Sequence, residues 1–192
     1  MGCGNPVDDK AKAIIRLAQD KNISIEKRAM DLVSRILRTY YANEVSKVQR
    51  ITYIDHIPDD DFKGLDTTSS GTGDSATGIV RVVSPYYVEQ ATEQGFARRV
   101  LQLGHELQHI DQYRARMTGK DKSSEREFLA FHWEALAAEK PGTGCINTGT
   151  RGSLIDGALK YYDKMPHDAQ ERHRDRRAQL LERQQKAIAA TR

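Results

Sequence analysis

His105, Glu106 and His109 are the residues of this chain whose types and spacing do chemistry together. An α-helix turns about 100° per residue, so positions i and i+4 share one face, a turn apart. His105 and His109 stand at that spacing and can present two imidazoles to a single ion. Glu106 follows the first imidazole and points to the edge of the same site, where a carboxylate can take a proton from water polarised by the ion. The run His105-Glu106-Leu107-Gln108-His109 therefore predicts a Zn2+ site that activates water for hydrolysis, with Glu106 as general base.

A catalytic zinc usually takes three protein ligands and keeps one position open. The metzincin continuation of this motif would place Gly at 112 and His at 115. Gln112 and Ala115 stand there instead. The remaining option is a carboxylate from a following helix, and Glu125, Glu127, Glu134 and Asp156 are the candidates. Glu127 also fits a capping box with Ser124, a purely structural role.

Arg126-Glu127-Phe128-Leu129-Ala130 resembles the third-ligand segment of gluzincin metallopeptidases, in the Arg-Glu-Phe-x-Ala-Asp form of the CAAX-type and HtpX-like membrane families. That resemblance implies Glu127 as the third ligand. Phe131 departs from it, because those families carry there an aspartate that hydrogen-bonds a zinc histidine. That contact must then come from elsewhere, and Glu134, two turns from Glu127 on the same face, is one candidate for it. The resemblance also implies a zincin-like α+β fold, helix-rich with a small sheet whose edge strand lies over the motif helix. Gly78 to Val83 stands where that strand is expected, its edge open to an extended peptide.

The chain is small, and its His-Glu-Leu-x-His-x-x-Gln run is soon followed by Glu-x-x-Ala. In this it resembles the compact metallopeptidase domains of bacterial toxins and secreted effectors, including those on type VI secretion spike proteins. A protein or peptide substrate is implied, with a secretion-system carrier or an immunity protein as further partners. Action in the periplasm or cytoplasm of a target cell, without a signal peptide, follows from the same resemblance.

Hydrolysis also needs a donor for the developing oxyanion. Tyr113, His132, Tyr161 and Tyr162 are candidates, with His167 and His173 behind them. Each has an ordinary structural alternative. His56 is expected in a loop.

A chain of 192 residues with 38% hydrophobic and 30% charged residues is expected to form one globular domain over 1–192, with residues 1–7 flexible. No apolar run is long enough for a membrane helix. Cys3 and Cys145 are too few and too far apart for a disulfide scaffold or a short metal-ligand motif.

The elements that must position the site follow from periodicity. Helices are expected over 8–21, 24–41, 89–117, 125–139, 154–164 and 166–190. Ser24 is read as an N-cap and Gly119 as the stop of the motif helix. Strands are expected over 50–57 and 78–83, with a polar loop from 59 to 78 between them.

Two other classes are weaker. A catalytically silent module binding a protein partner has no use for a base at Glu106. A nucleic-acid binder would rely on Arg172, Arg174, Arg176, Arg177 and Arg183, but Glu171, Asp175 and Glu182 are interleaved with them and the net charge is only +3. No nucleic-acid partner is therefore expected.

Overall fold

The computed structural model describes residues 7–54, 64–83, 85–139 and 146–189. His56, Cys3 and Cys145 lie outside them. Val7, expected in a flexible terminus, is buried in the first core.

Helix α1 (Asp9–Gln19) starts at Asp8, whose carboxylate accepts from the Ala11 amide. Helix α2 (Ile25–Tyr40) starts at Ser24 as expected, the hydroxyl accepting from the Lys27 amide at 3.3 Å. A 3-10 turn, Ala42–Lys47, leads into strand β1 (Val48–Tyr53). Strand β2 (Leu65–Ser70) then pairs antiparallel with β3 (Thr77–Val82), and β3 pairs parallel with β1. The spatial order is β1-β3-β2.

This corrects two expectations. Residues 65–70 (LDTTSS) are a strand, not part of a loop. Leu65 and Thr67 turn inward, and pairing with apolar β3 supplies the burial that the polar sequence hides. Strand β3 is consequently the centre of the sheet, and β2 is the edge that packs on the motif helix. Gly71 and Gly73 adopt positive φ in the β2–β3 connection, a conformation glycine takes without a Cβ penalty.

The helix expected over 89–117 is shorter, α4 (Phe96–Arg114), and a separate short helix, α3 (Pro85–Glu89), precedes it across a turn. Gly95 turns so tightly between them that a Cβ there would overlap the Gln90 carbonyl. Helix α4 ends at Arg114, not near Gly119. Arg116 takes a positive φ, and the Met117 amide returns to the Gln112 carbonyl at 2.9 Å. Helices α5 (Ser123–Ala137) and α6 (Thr148–Tyr162) follow. The charged C-terminal segment is two helices, α7 (His167–Arg172) and α8 (Arg174–Ala189).

Helix α4 runs between two cores. Val100, Leu103, Leu107 and Ile110 face the sheet, α1 and α2. Ala97 and Leu101 face α5, α6 and α8. The approaches on both sides are close. At Gly78 an added Cβ would overlap Ile110, and at Gly104 it would overlap the Trp133 ring and the Tyr41 hydroxyl. The architecture is α+β, helix-rich with a small mixed sheet, and no described helix is long and apolar enough to cross a membrane.

Candidate metal centre

His105 and His109 emerge from α4 at the seam between the two cores, and α5 lies across them carrying Glu127. Helix α5 begins at Ser123 with Lys122 as N-cap and no side-chain capping bond. The capping box between Ser124 and Glu127 is therefore not formed, and the Glu127 carboxylate turns to the histidines instead. Its Oε2 lies 3.4 Å from His105 Nε2 and its Oε1 lies 3.5 Å from His109 Nε2. One ligand atom from each of the three residues falls within 4.8 Å of the others.

The donor set fits zinc. At bond lengths of about 2.1 Å, adjacent donors of a tetrahedral site stand roughly 3.4 Å apart. The carboxylate–imidazole separations are already at that spacing.

Hydrogen bonds at the far nitrogens fix which way the imidazoles face. The Arg126 carbonyl only accepts, so the Gln112 amide group donates to it, at 2.9 Å. Gln112 Oε1 must then face His109 Nδ1, at 2.8 Å. Nδ1 therefore donates to Gln112, which leaves Nε2 turned towards Glu127. His105 follows the same logic. Its Nδ1 lies 3.2 Å from Glu134 Oε2, and Glu134 is ion-paired through Oε1 to Arg98 Nη1. Glu134 is 1% exposed, a burial that a carboxylate sustains only when paired.

The electrostatics favour a charged His105. Burial alone would lower the His105 pKa. Hydrogen bonds to Glu127 and then Glu134, aided by the Glu134 and Glu106 charges, outweigh it and push His105 up to about 10. Glu106, Glu127 and Glu134 thus bring negative charge to the two sides of the His105 ring, where a protonated imidazole balances it.

These residues line a cleft of about 150 Å³. Its walls are Leu65 and Asp66 of β2, Arg98 and Gln102 of α4, and the pair Phe131 and Tyr161, stacked at 5.7 Å between ring centres. Glu106 opens onto the same cleft. Phe131 packs edge-on against the His105 ring at 4.7 Å. Two residues therefore share the support of His105: Phe131 packs on the ring and Glu134 holds the nitrogen.

Among the candidate oxyanion donors, the structure brings only Tyr161 to the cleft. Tyr113 lies beneath the Arg126 guanidinium, Tyr162 donates its hydroxyl to the Gln170 carbonyl at 2.8 Å, and His132 contacts Gln179 Oε1 at 2.9 Å. None of these three lines the cleft. His173 meets Glu125 at 2.8 Å, joining α7 to the start of α5, and His167 is exposed. Of the alternative ligands, Glu125 is committed to His173 and Arg172, and Asp156 accepts from Gln184. Glu134 touches the wrong nitrogen of His105 to be a ligand beside Glu127.

Gln112, Arg98 and Gln102 were not picked out by sequence reasoning for the roles their positions give them. The signal existed: Gln112 is three residues beyond His109, and Arg98 and Gln102 repeat at i, i+4 on the face that carries Glu106. No family model, curated protein or solved structure matches the chain.

Proposed function

We propose that this protein is a zinc-dependent peptidase. The observation that carries the reading is the convergence of His105 Nε2, His109 Nε2 and the Glu127 carboxylate, with Glu106 opening onto the same cleft. His105, His109 and Glu127 would hold the ion, which supplies Lewis acidity, polarising a peptide carbonyl and acidifying a water.

Everything else falls to the chain's own residues. The Glu106 carboxylate takes the proton from the attacking water and returns it to the leaving amine nitrogen. The Tyr161 hydroxyl donates to the oxyanion that develops at the carbonyl. Glu134 and Gln112 keep each imidazole's Nδ1 protonated and its Nε2 turned inward. Strand β2 forms a sheet edge at the cleft, and an extended substrate would lie along it through main-chain hydrogen bonds.

The test compares zinc content and peptide hydrolysis in the wild-type protein and Glu106→Gln. Both should carry about one zinc per chain, and only the wild type should hydrolyse peptides. Equal hydrolysis by the variant would sink the assignment of Glu106, and a wild-type protein that takes up no zinc would sink the reading itself.

A further inference from the structure

The cleft does not end at Glu106. Going back along α4, Gln102 and Arg98 occupy the next two turns on the same face, and both line the cleft. Each carries hydrogen-bonding capacity that the fold leaves unused. The Gln102 Oε1 is buried without a partner, and among the described residues no hydrogen bond engages its amide group. Arg98 pairs with Glu134 through Nη1, while no bond among the described residues engages Nε or Nη2. Its side chain is 26% exposed, so the remaining edge is reachable.

Which edge is left free matters. Nε and Nη2 form the side-on fork of a guanidinium, the edge that takes both oxygens of a carboxylate at once. Glu134 uses the other end and keeps the guanidinium in place. Gln102, one turn closer to Glu106, can donate its amide N–H to the same group. Buried polar atoms in native structures are normally satisfied. The orphaned oxygen is an acceptor that a carboxylate does not satisfy, whereas the unengaged amide N–H, on the same helix face as the open guanidinium fork, is a donor that a carboxylate can meet. Asp66 on the β2 wall does not oppose an anion strongly, because Arg81 pairs with it.

We infer that Arg98 and Gln102 form a carboxylate-recognising subsite, so that the substrate carries a carboxylate a few residues from the scissile bond. The inference rests on the peptidase reading and adds the substrate's chemistry to it. The spacing follows from geometry. Four and eight helical residues from Glu106 correspond to roughly 6 and 12 Å along the axis, and an extended peptide advances about 3.3 Å per residue. The carboxylate therefore belongs to a residue about two to four positions from the cleaved bond. An acidic side chain and the substrate's own C-terminal carboxylate offer the same two oxygens.

The experiment uses the zinc-loaded protein and a proteome-derived peptide mixture, with a second portion whose carboxyls are all converted to amides. Cleaved bonds are mapped by mass spectrometry. The expected result is at least tenfold more cleavage in the untreated mixture. Cleavage should fall at a fixed offset from Asp or Glu if the side chain is read, or release fragments of two to four residues if the terminus is read. Arg98→Gln and, separately, Gln102→Leu should each bring the ratio between the two mixtures towards one. Gln102→Leu keeps the Arg98–Glu134 pair, so its effect is not a consequence of disturbing His105. Binding of a cleaved peptide and its amidated twin to Glu106→Gln protein, measured by calorimetry, should show the same preference without turnover. Equal cleavage of both mixtures by the wild type would overturn the subsite while leaving the peptidase intact. Cleavage of neither would remove the peptidase reading and the subsite together.

Discussion

Glu134 Oε2 stands 3.2 Å from His105 Nδ1, and its other oxygen is held by Arg98. The carboxylate thus sits behind the imidazole, while Glu127, two turns earlier on α5, sits in front of it. One helix supplies both the proposed ligand and the group that aims its neighbour. Removing such an orienting partner typically costs about 10–100-fold in metal affinity. Glu134→Gln should therefore weaken zinc binding by roughly that factor, read by competition with a chelating dye. Unchanged affinity would show that packing against Phe131 alone orients the ring.

Zinc binding should release a proton. In the metal-free protein burial disfavours a charged His105, but Glu127 and Glu134 outweigh it and raise its pKa to about 10. A folded pKa above the unfolded value of about 6.5 adds stability that is complete below that pH and is lost as pH rises through about 10. A ligating Nε2 cannot keep its proton. At pH 8, calorimetry in buffers of different ionisation enthalpy should report close to one proton released per zinc. The metal-free protein should also melt at lower temperature as pH is raised from 7 towards 10. No proton release would mean that His105 is already neutral before the metal arrives.

The closeness of α4 and α5 can be tested at Gly104. A Cβ there would overlap the Trp133 ring and the Tyr41 hydroxyl, whose rings pack on one another. Overpacking costs about 1–3 kcal/mol, so Gly104→Ala should lower the melting temperature by roughly 2–12 °C in a chain of this size. Zinc should bind more weakly as well, because the helix carrying Glu127 is pushed away. A melting temperature equal to the wild type would mean that the two helices can part without loss.

The shared face of His105 and His109 was legible in the sequence because it depends on local helical spacing alone. His105 and His109 need only one turn of helix to meet. Glu127 needed the fold, since its carboxylate could equally have capped its own helix at Ser124. Strand β2 was not legible: Leu65 is the only strongly apolar residue in Leu65–Ser70, and the burial of Thr67 comes from β3 and α4. The break between α3 and α4 was hidden for a related reason. Apolar periodicity runs through it, and only the tight approach of Gly95 to the Gln90 carbonyl reveals the turn. Choosing among four candidate oxyanion donors required knowing which faces of α4, α5 and α6 meet at the cleft.

That choice can be tested with neighbouring tyrosines. Tyr161 and Tyr162 are adjacent on α6, yet Tyr161 lines the cleft while Tyr162 turns into the second core and donates to the Gln170 carbonyl. Tyr161→Phe keeps the ring stacked on Phe131 and removes only the hydroxyl. If that hydroxyl meets the oxyanion, kcat should fall about 10²–10³-fold with zinc content and melting temperature held. KM should change little, because the interaction forms only as charge develops on the carbonyl oxygen. Tyr162→Phe loses one hydrogen bond to the α7 backbone, worth about 1 kcal/mol, and should affect stability alone. A Tyr161→Phe variant with wild-type kcat would remove Tyr161 from the oxyanion role.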